Sequence, residues 1–234
     1  MTGEQSAYEL GMRVTRRILA QWNHAPWTML RPWAGLSLAI SLALLIAVWL
    51  VAISVPEDAS PGFVPGVSDG GGWLDIGRIL ANNLLVLALH GTACVAGFIA
   101  GASMPAVAAE KEGFSRALHL HAGQIAIFMV VVITTFSLVT QAYALGLQGA
   151  SLASWLEISE AALLVSAIPH ALPELTALFL PLAAWMLASR HGHWDRLLAA
   201  TVITVAVALP VLVVTAVAEV ELWPRILERI SPVF

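Results

Sequence analysis

Charge punctuates this chain at long intervals. No Asp, Glu, Lys or Arg occurs in residues 32–56, 79–109, 117–156 or 197–218, and the stretch 161–189 holds one, Glu174. A helix crossing the hydrocarbon core of a bilayer needs about 20 apolar residues, so each stretch can supply one crossing. The longest, 117–156, would hold two only around a very tight turn. It reads as one helix over about 120–145, followed by a Gly- and Ser-containing loop at 146–154.

Composition agrees. Apolar residues make up 59% of the 234 and charged residues 11%, against about 25% charged in a soluble domain. A surface so poor in charge cannot be covered in water. The expected fold class is therefore an all-α integral membrane protein with about five transmembrane helices over 31–234. Residues 1–30 are expected to form a cytoplasmic amphipathic segment. Tyr8, Met12, Ile18, Leu19 and Trp22 alternate there with Arg13, Arg16 and Arg17, which suits a helix lying on anionic lipid or docking on a partner. The net charge of −4, with cations mostly near span ends, leaves no nucleic-acid footprint. A single cysteine, Cys94, rules out a disulfide framework and disfavours a Cys-rich metal site. The first apolar run starts near Ala34, is too long for a signal peptide and lacks a small-residue cleavage site, so no cleavable leader is expected. No internal repeat is visible, which disfavours an inverted-repeat transporter.

Cation placement gives a topology. Arg13, Arg16, Arg17 and Arg31 precede the first span, Lys111 and Arg116 lie between the second and third, and Arg190 and Arg196 between the fourth and fifth. The other two connections hold none, apart from Arg78 at the start of span two. By the positive-inside rule the N-terminus is expected to be cytoplasmic. Arg225 and Arg229 fit this less well, but Glu221 and Glu228 stand among them. Tryptophans at 27, 33, 49, 73, 155, 185, 194 and 223 mark the membrane interfaces. The Gly- and Pro-rich segment 61–73 reads as an irregular outer loop.

Polar residues inside the spans are the functional candidates. A carboxylate at mid-membrane costs about 2.5 to 3.5 kcal/mol, so Glu174 needs a reason to be there. His170 stands one turn earlier on the same face. Pro169, Pro173 and Pro181 remove backbone donors, so the fourth helix is expected to kink or break between Ile168 and Glu174. Span two carries Asn82, Asn83 and His90, with Gly97 and Gly101 to allow close packing. Counted from Arg78 and Glu160, His90 and His170 lie at similar depths of roughly 15 to 18 Å. His90, His170 and Glu174 are therefore expected to form one cluster. Three roles stay open for it: a polar clamp between helices, a proton or substrate relay, or a site for zinc or another divalent metal, since imidazole and carboxylate suit zinc. With a metal and an open position, Glu174 and His170 would be catalytic residues of an intramembrane hydrolase or acyl-transfer enzyme; whether the chain is an enzyme stays open. Thr134, Ser137, Gln141, Thr201, Thr204 and Thr215 read as ordinary interhelical hydrogen-bonding positions, and His119, His121, His191 and His193 as interfacial.

The run IPHALPEL at 168–175, with asparagines opening an earlier apolar helix and glycines after them, resembles the stage II sporulation protein M family. Pro169, His170, Glu174 and Leu175 match its Pro-His-Gly-x-x-Glu-Leu run, Ala171 standing where the family has glycine. Asn82 and Asn83 match the asparagines, and Gly91, Gly97 and Gly101 follow. The resemblance covers about 75–220. It implies a membrane scaffold of the bacterial envelope that gathers other envelope proteins such as peptidoglycan hydrolases, with a homo-oligomer left open. Relatives beside genes for circular bacteriocins imply the alternative, a component for maturation or export of a peptide.

Overall fold

The structure, a computed structural model, describes residues 3–55 and 72–233. It is helical with no strand among the described residues, and five helical stretches are long and apolar enough to cross a membrane. Most of the segment 61–73 expected as an irregular outer loop lies outside the described residues.

Helix α1 (Gly3–His24) is followed by α2 (Pro26–Ala52), the first span. The second span is α3 (Trp73–Phe98), a π-helical turn at Ile99–Ser103 and the short α4 (Met104–Val107). The third is α5 (Gly113–Trp155), a single helix of 43 residues. The loop expected at 146–154 is helical. Gly146 is there for contact rather than for a turn: a Cβ on it would stand 2.5 Å from the Val51 side chain and 3.0 Å from the Val48 carbonyl oxygen.

Helix α5 ends where Glu157 takes a left-handed conformation (φ 54°). Ile158 N–H then donates to the Ala153 carbonyl at 3.1 Å and Glu157 N–H to that of Ser154 at 3.2 Å, the paired closure typical of a helix C-terminus. Two residues on, Ser159 Oγ accepts from Ala162 N–H at 3.2 Å and starts α6 (Glu160–Leu178). Helix α6 runs as one helix through Pro169 and Pro173, so of the kink or break expected between Ile168 and Glu174 the break is absent. Both prolines lie on its exposed side, where the lost hydrogen bonds leave packing undisturbed. The break comes at Phe179, before α7 (Leu180–Arg190), whose first turn takes Pro181, the helical position where a missing N–H costs least. The fifth candidate span, Trp194–Ile230, holds α8 (Leu197–Glu221) and α9 (Trp223–Ile230).

The chain divides into two compact units, and the divisions fall inside α2, α3, α5, near the end of α6 and inside α8. One unit comprises the described residues up to 37, 86–134 and 178–208. Here α1 is packed rather than left lying free. Ile18 is buried with Ala199 and Ile203, Val14, Trp22 and Trp33 close over them, and Gly11 lies so near Phe98 that a Cβ would reach within 2.6 Å of its ring. Arg13, Arg16 and Arg17 stay exposed, as the amphipathic pattern requires. A second cluster joins Cys94, Phe98, Trp185 and Leu197. Gly97 admits Trp185 and Gly101 admits Trp194, the close approach that small residues allow between membrane helices. Trp185, expected at an interface, is 2% exposed.

The other unit comprises the described residues of 38–85, 135–177 and 209–234. Its core is Leu152, Ala153, Leu156, Leu163 and Leu227, closed by Trp155, Ile158 and Trp223. Helix α9 is pinned to it: Leu227 is fully buried, and Ser231 Oγ donates to the Leu156 carbonyl at 2.6 Å.

Candidate functional site

Helix geometry sorts the expected cluster. His90 belongs to the first unit, and its Nδ1 donates to the Leu178 carbonyl oxygen at 2.9 Å. One turn later Cys94 Sγ donates to the Pro181 carbonyl at 3.2 Å. The Leu178 carbonyl stands at the C-terminal end of α6, where carbonyls lack intrahelical donors, and that of Pro181 lies in the first turn of α7. The His90 ring also lies 5.6 Å from Phe179, tilted. His90 is thus a structural residue that satisfies a broken helix.

His170 and Glu174 lie in the second unit with Asn83. Among the described residues no three His, Cys, Asp or Glu side chains gather in a way that could hold a metal, so the expected set of His90, His170 and Glu174 is not assembled. The error was one of baseline. Helix α3 starts at Trp73, five residues before Arg78, and Arg78 is an ion-pair partner of the buried Asp75 at 3.8 Å rather than a marker of the helix start. Counted from the helix starts, the partner of His170 in depth is Asn83, and His90 is level with Leu178. Asn82, one residue round the helix, is exposed and takes no part.

The residues that do converge are spaced in helical turns. On α6 they are Ser166, His170 and Glu174; along α8 and α9 they are Thr215, Glu219 and Trp223. Trp223 Nε1 donates to Ser166 Oγ at 2.9 Å, which itself donates to the Leu163 carbonyl at 2.6 Å. The Trp223 ring stands 5.2 Å from the buried His170 ring. The Glu174 carboxyl has Asn83 and Thr215 beside it and lies within electrostatic range of Glu219. Glu174 Oε2 and Asn83 Nδ2 are nonetheless both buried without a hydrogen bond.

Of these side chains, His170, Glu174, Glu219 and Trp223 border a cavity of about 890 Å³. His170, Glu174, Glu219 and Gln148 supply polar groups to its wall, and Leu45, Val48, Leu145 and Leu175 are among the apolar ones. Among the described residues no Lys or Arg lines it. Such a chamber, apolar with a few convergent polar groups, has the make-up of a ligand site.

Glu219 directly follows the uncharged run 197–218, so charge spacing alone marks it as a span end rather than a site residue. Its signal was periodic: Thr215, Glu219 and Trp223 recur at four-residue steps. Span hydroxyls and amides also bond within their own helices. Thr201 and Thr204 donate to the carbonyls of Leu197 and Ala200, Thr215 to that of Leu212, and Gln141 Nε2 to Ser137 Oγ, each within its own helix. No protein-family model, curated protein or solved structure matches the chain.

Proposed function

We propose that this protein is a multi-pass component of the bacterial cytoplasmic membrane that receives an amphipathic, peptide-class molecule in the cavity of the second unit during its export or maturation. The cavity carries the reading. A volume of about 890 Å³ is too large for an ion and suits a chain with side groups. Its mixed wall offers apolar surface for most of such a molecule and carboxyl, imidazole and amide groups for the remainder. Glu174 and His170 act here as binding groups.

The N-terminus lies in the cytoplasm in this reading. The exposed Arg13, Arg16 and Arg17 on α1 and the cations of the 108–116 and 190–196 connections support it. The dissenting Arg78 is engaged with Asp75. The cavity, bordered by Trp49, Ser151 and Glu160 near the opposite helix ends, then faces the outer side. The scaffold reading, with peptidoglycan hydrolases or other envelope proteins as partners, rests on the resemblance at 168–175.

The test is photocrosslinking in native membranes with benzoylphenylalanine in place of Gln148. Mass spectrometry is expected to find a covalent adduct of peptide character at that position. Adduct-free protein, or lipid adducts alone, would count against the reading. Genes for a small hydrophobic peptide and an ABC transporter beside this one would favour it, and cell-wall hydrolase genes would favour the scaffold.

A further inference from the structure

A second space lies within the first unit, apart from the cavity already described. Its walls come from the start of α2, the end of α7 and the turn that leads into α8. These are span ends, so this groove of about 340 Å³ lies at a membrane surface. Met29, Trp33 and Leu187 make its walls largely apolar, and Arg196, His191 and His193 bring nitrogen groups to it. Among the described residues no Asp or Glu borders it.

The polar side of the groove is built by the way α7 ends. Gly192 takes a φ of 70°, the left-handed conformation that glycine adopts without strain at a helix C-terminus. That turn sets the His191 and His193 rings 5.9 Å apart and nearly parallel. It also satisfies the helix end. Gly192 N–H donates to the Ser189 carbonyl at 3.2 Å and His193 N–H to that of Ala188 at 2.8 Å, and His191 Nδ1 donates to the Leu187 carbonyl at 2.7 Å. Carbonyls that would otherwise repel an anion are therefore engaged, and with a proton on Nε2 the His191 ring is a donor on its other side as well. Arg196 follows in the turn Trp194–Arg196. It is exposed and forms no ion pair among the described residues, its chain neighbour Asp195 included. A guanidinium presents a planar fork of donors that fits two oxygens of one phosphate.

Charge and position together define the occupant. Phospholipids hold their phosphates just outside the hydrocarbon, and basic pockets between span ends suit anionic headgroups. The groove is too small for a whole lipid and suits the phosphate with the adjoining ester region, the chains continuing into the bilayer. A soluble anion would leave the apolar surface of Met29, Trp33 and Leu187 unused.

We infer that this groove is a binding site for one anionic phospholipid, with Arg196 on the phosphate, His191 and His193 beside it, and Met29, Trp33 and Leu187 against the start of an acyl chain. It is distinct from adsorption of α1 through its exposed arginines, which needs no groove. It is also independent of the cavity in the second unit and of what enters that cavity.

The experiment uses the full-length protein in phosphatidylcholine nanodiscs that carry a small fraction of photoreactive lipid. Two probes are compared, phosphatidylglycerol and phosphatidylcholine, each with a diazirine near the ester end of one acyl chain. Mass spectrometry locates the adducts. Phosphatidylglycerol is expected to label peptides covering 28–33 or 184–188 about tenfold more than phosphatidylcholine, the scale of one charge-assisted hydrogen bond. Arg196→Gln is expected to remove that preference. Arg116→Gln, at an exposed position that does not border the groove, is expected to keep it. Inorganic phosphate at constant ionic strength is expected to leave the labelling unchanged. If Arg196→Gln does not fold, the two probes on the native protein still decide. Equal labelling by both probes overturns the inference, as does a preference that survives Arg196→Gln or falls as far with Arg116→Gln. Suppression by inorganic phosphate would make the occupant a soluble anion and overturn it too. Labelling of the groove by neither probe overturns it outright.

Discussion

At the residue scale, Glu157 stands out as a non-glycine residue with φ of 54°. An L side chain there costs about 1 to 2 kcal/mol, and the closure of α5 demands that conformation. Glu157→Gly is expected to raise stability by about 1 kcal/mol. A thermal melt in detergent reads it, and a lowered midpoint would mean that the Glu157 side chain does work not seen in the fold. The opposite sign is expected at Leu227, fully buried against Leu152 and Leu156. Leu227→Ala leaves a cavity and should cost about 2 to 5 kcal/mol, freeing α9 to proteolysis before the rest of the chain. Glu174 and His170 were legible as residues that need a partner, because a carboxylate in an apolar run advertises its own cost. Their partners were not legible. Choosing among Asn83, His90 and Glu219 required knowing where each helix begins, and charges give that to within a turn or so, which is the difference between one partner and another.

At the scale of elements, the five crossings could be read from the spacing of charge alone, since a bilayer sets a minimum length for each. What misled was glycine. Gly146 and Gly149 suggested a loop, yet both are helical. Gly146 abuts Val51, whereas nothing lies within 4 Å of a Cβ placed on Gly149. The two positions should therefore respond in opposite ways. Gly146→Val is expected to destabilise by about 1 to 3 kcal/mol through overpacking, and Gly149→Ala to stabilise by up to about 1 kcal/mol because Ala is the better helix former. Unfolding in mixed micelles compares them. No gain at Gly149 would argue that residues 146–154 are not helical in solution. Proline misled in a similar way. Three prolines suggested a kink or a break near His170, and the break falls at Phe179 instead. Pro169 and Pro173 are absorbed on an exposed side, and Pro181 opens a new helix whose preceding break His90 satisfies at Leu178.

At the scale of the whole molecule, the lone cysteine makes topology simple to measure. Cys94 is fully buried, so cysteines introduced at the surface report on an almost silent background. With the N-terminus cytoplasmic, a cysteine in place of Ser115 should react with membrane-impermeant maleimide only after the inner face is opened. One in place of Ile158 should react from outside. The reverse pattern would invert the proposed orientation and turn the cavity inward.

Helix α5 also has a consequence for where in a cell such a chain can live. At 43 residues it is about 65 Å long, more than twice the roughly 30 Å thickness of a hydrocarbon core. Exposed apolar side chains run along it from Phe114 to Leu145, about 46 Å of helix axis. That is about half as long again as one hydrocarbon core, so the helix has to tilt or carry part of its apolar length beyond the core. A thicker bilayer takes up more of that length, at fractions of a kcal/mol per ångström of mismatch.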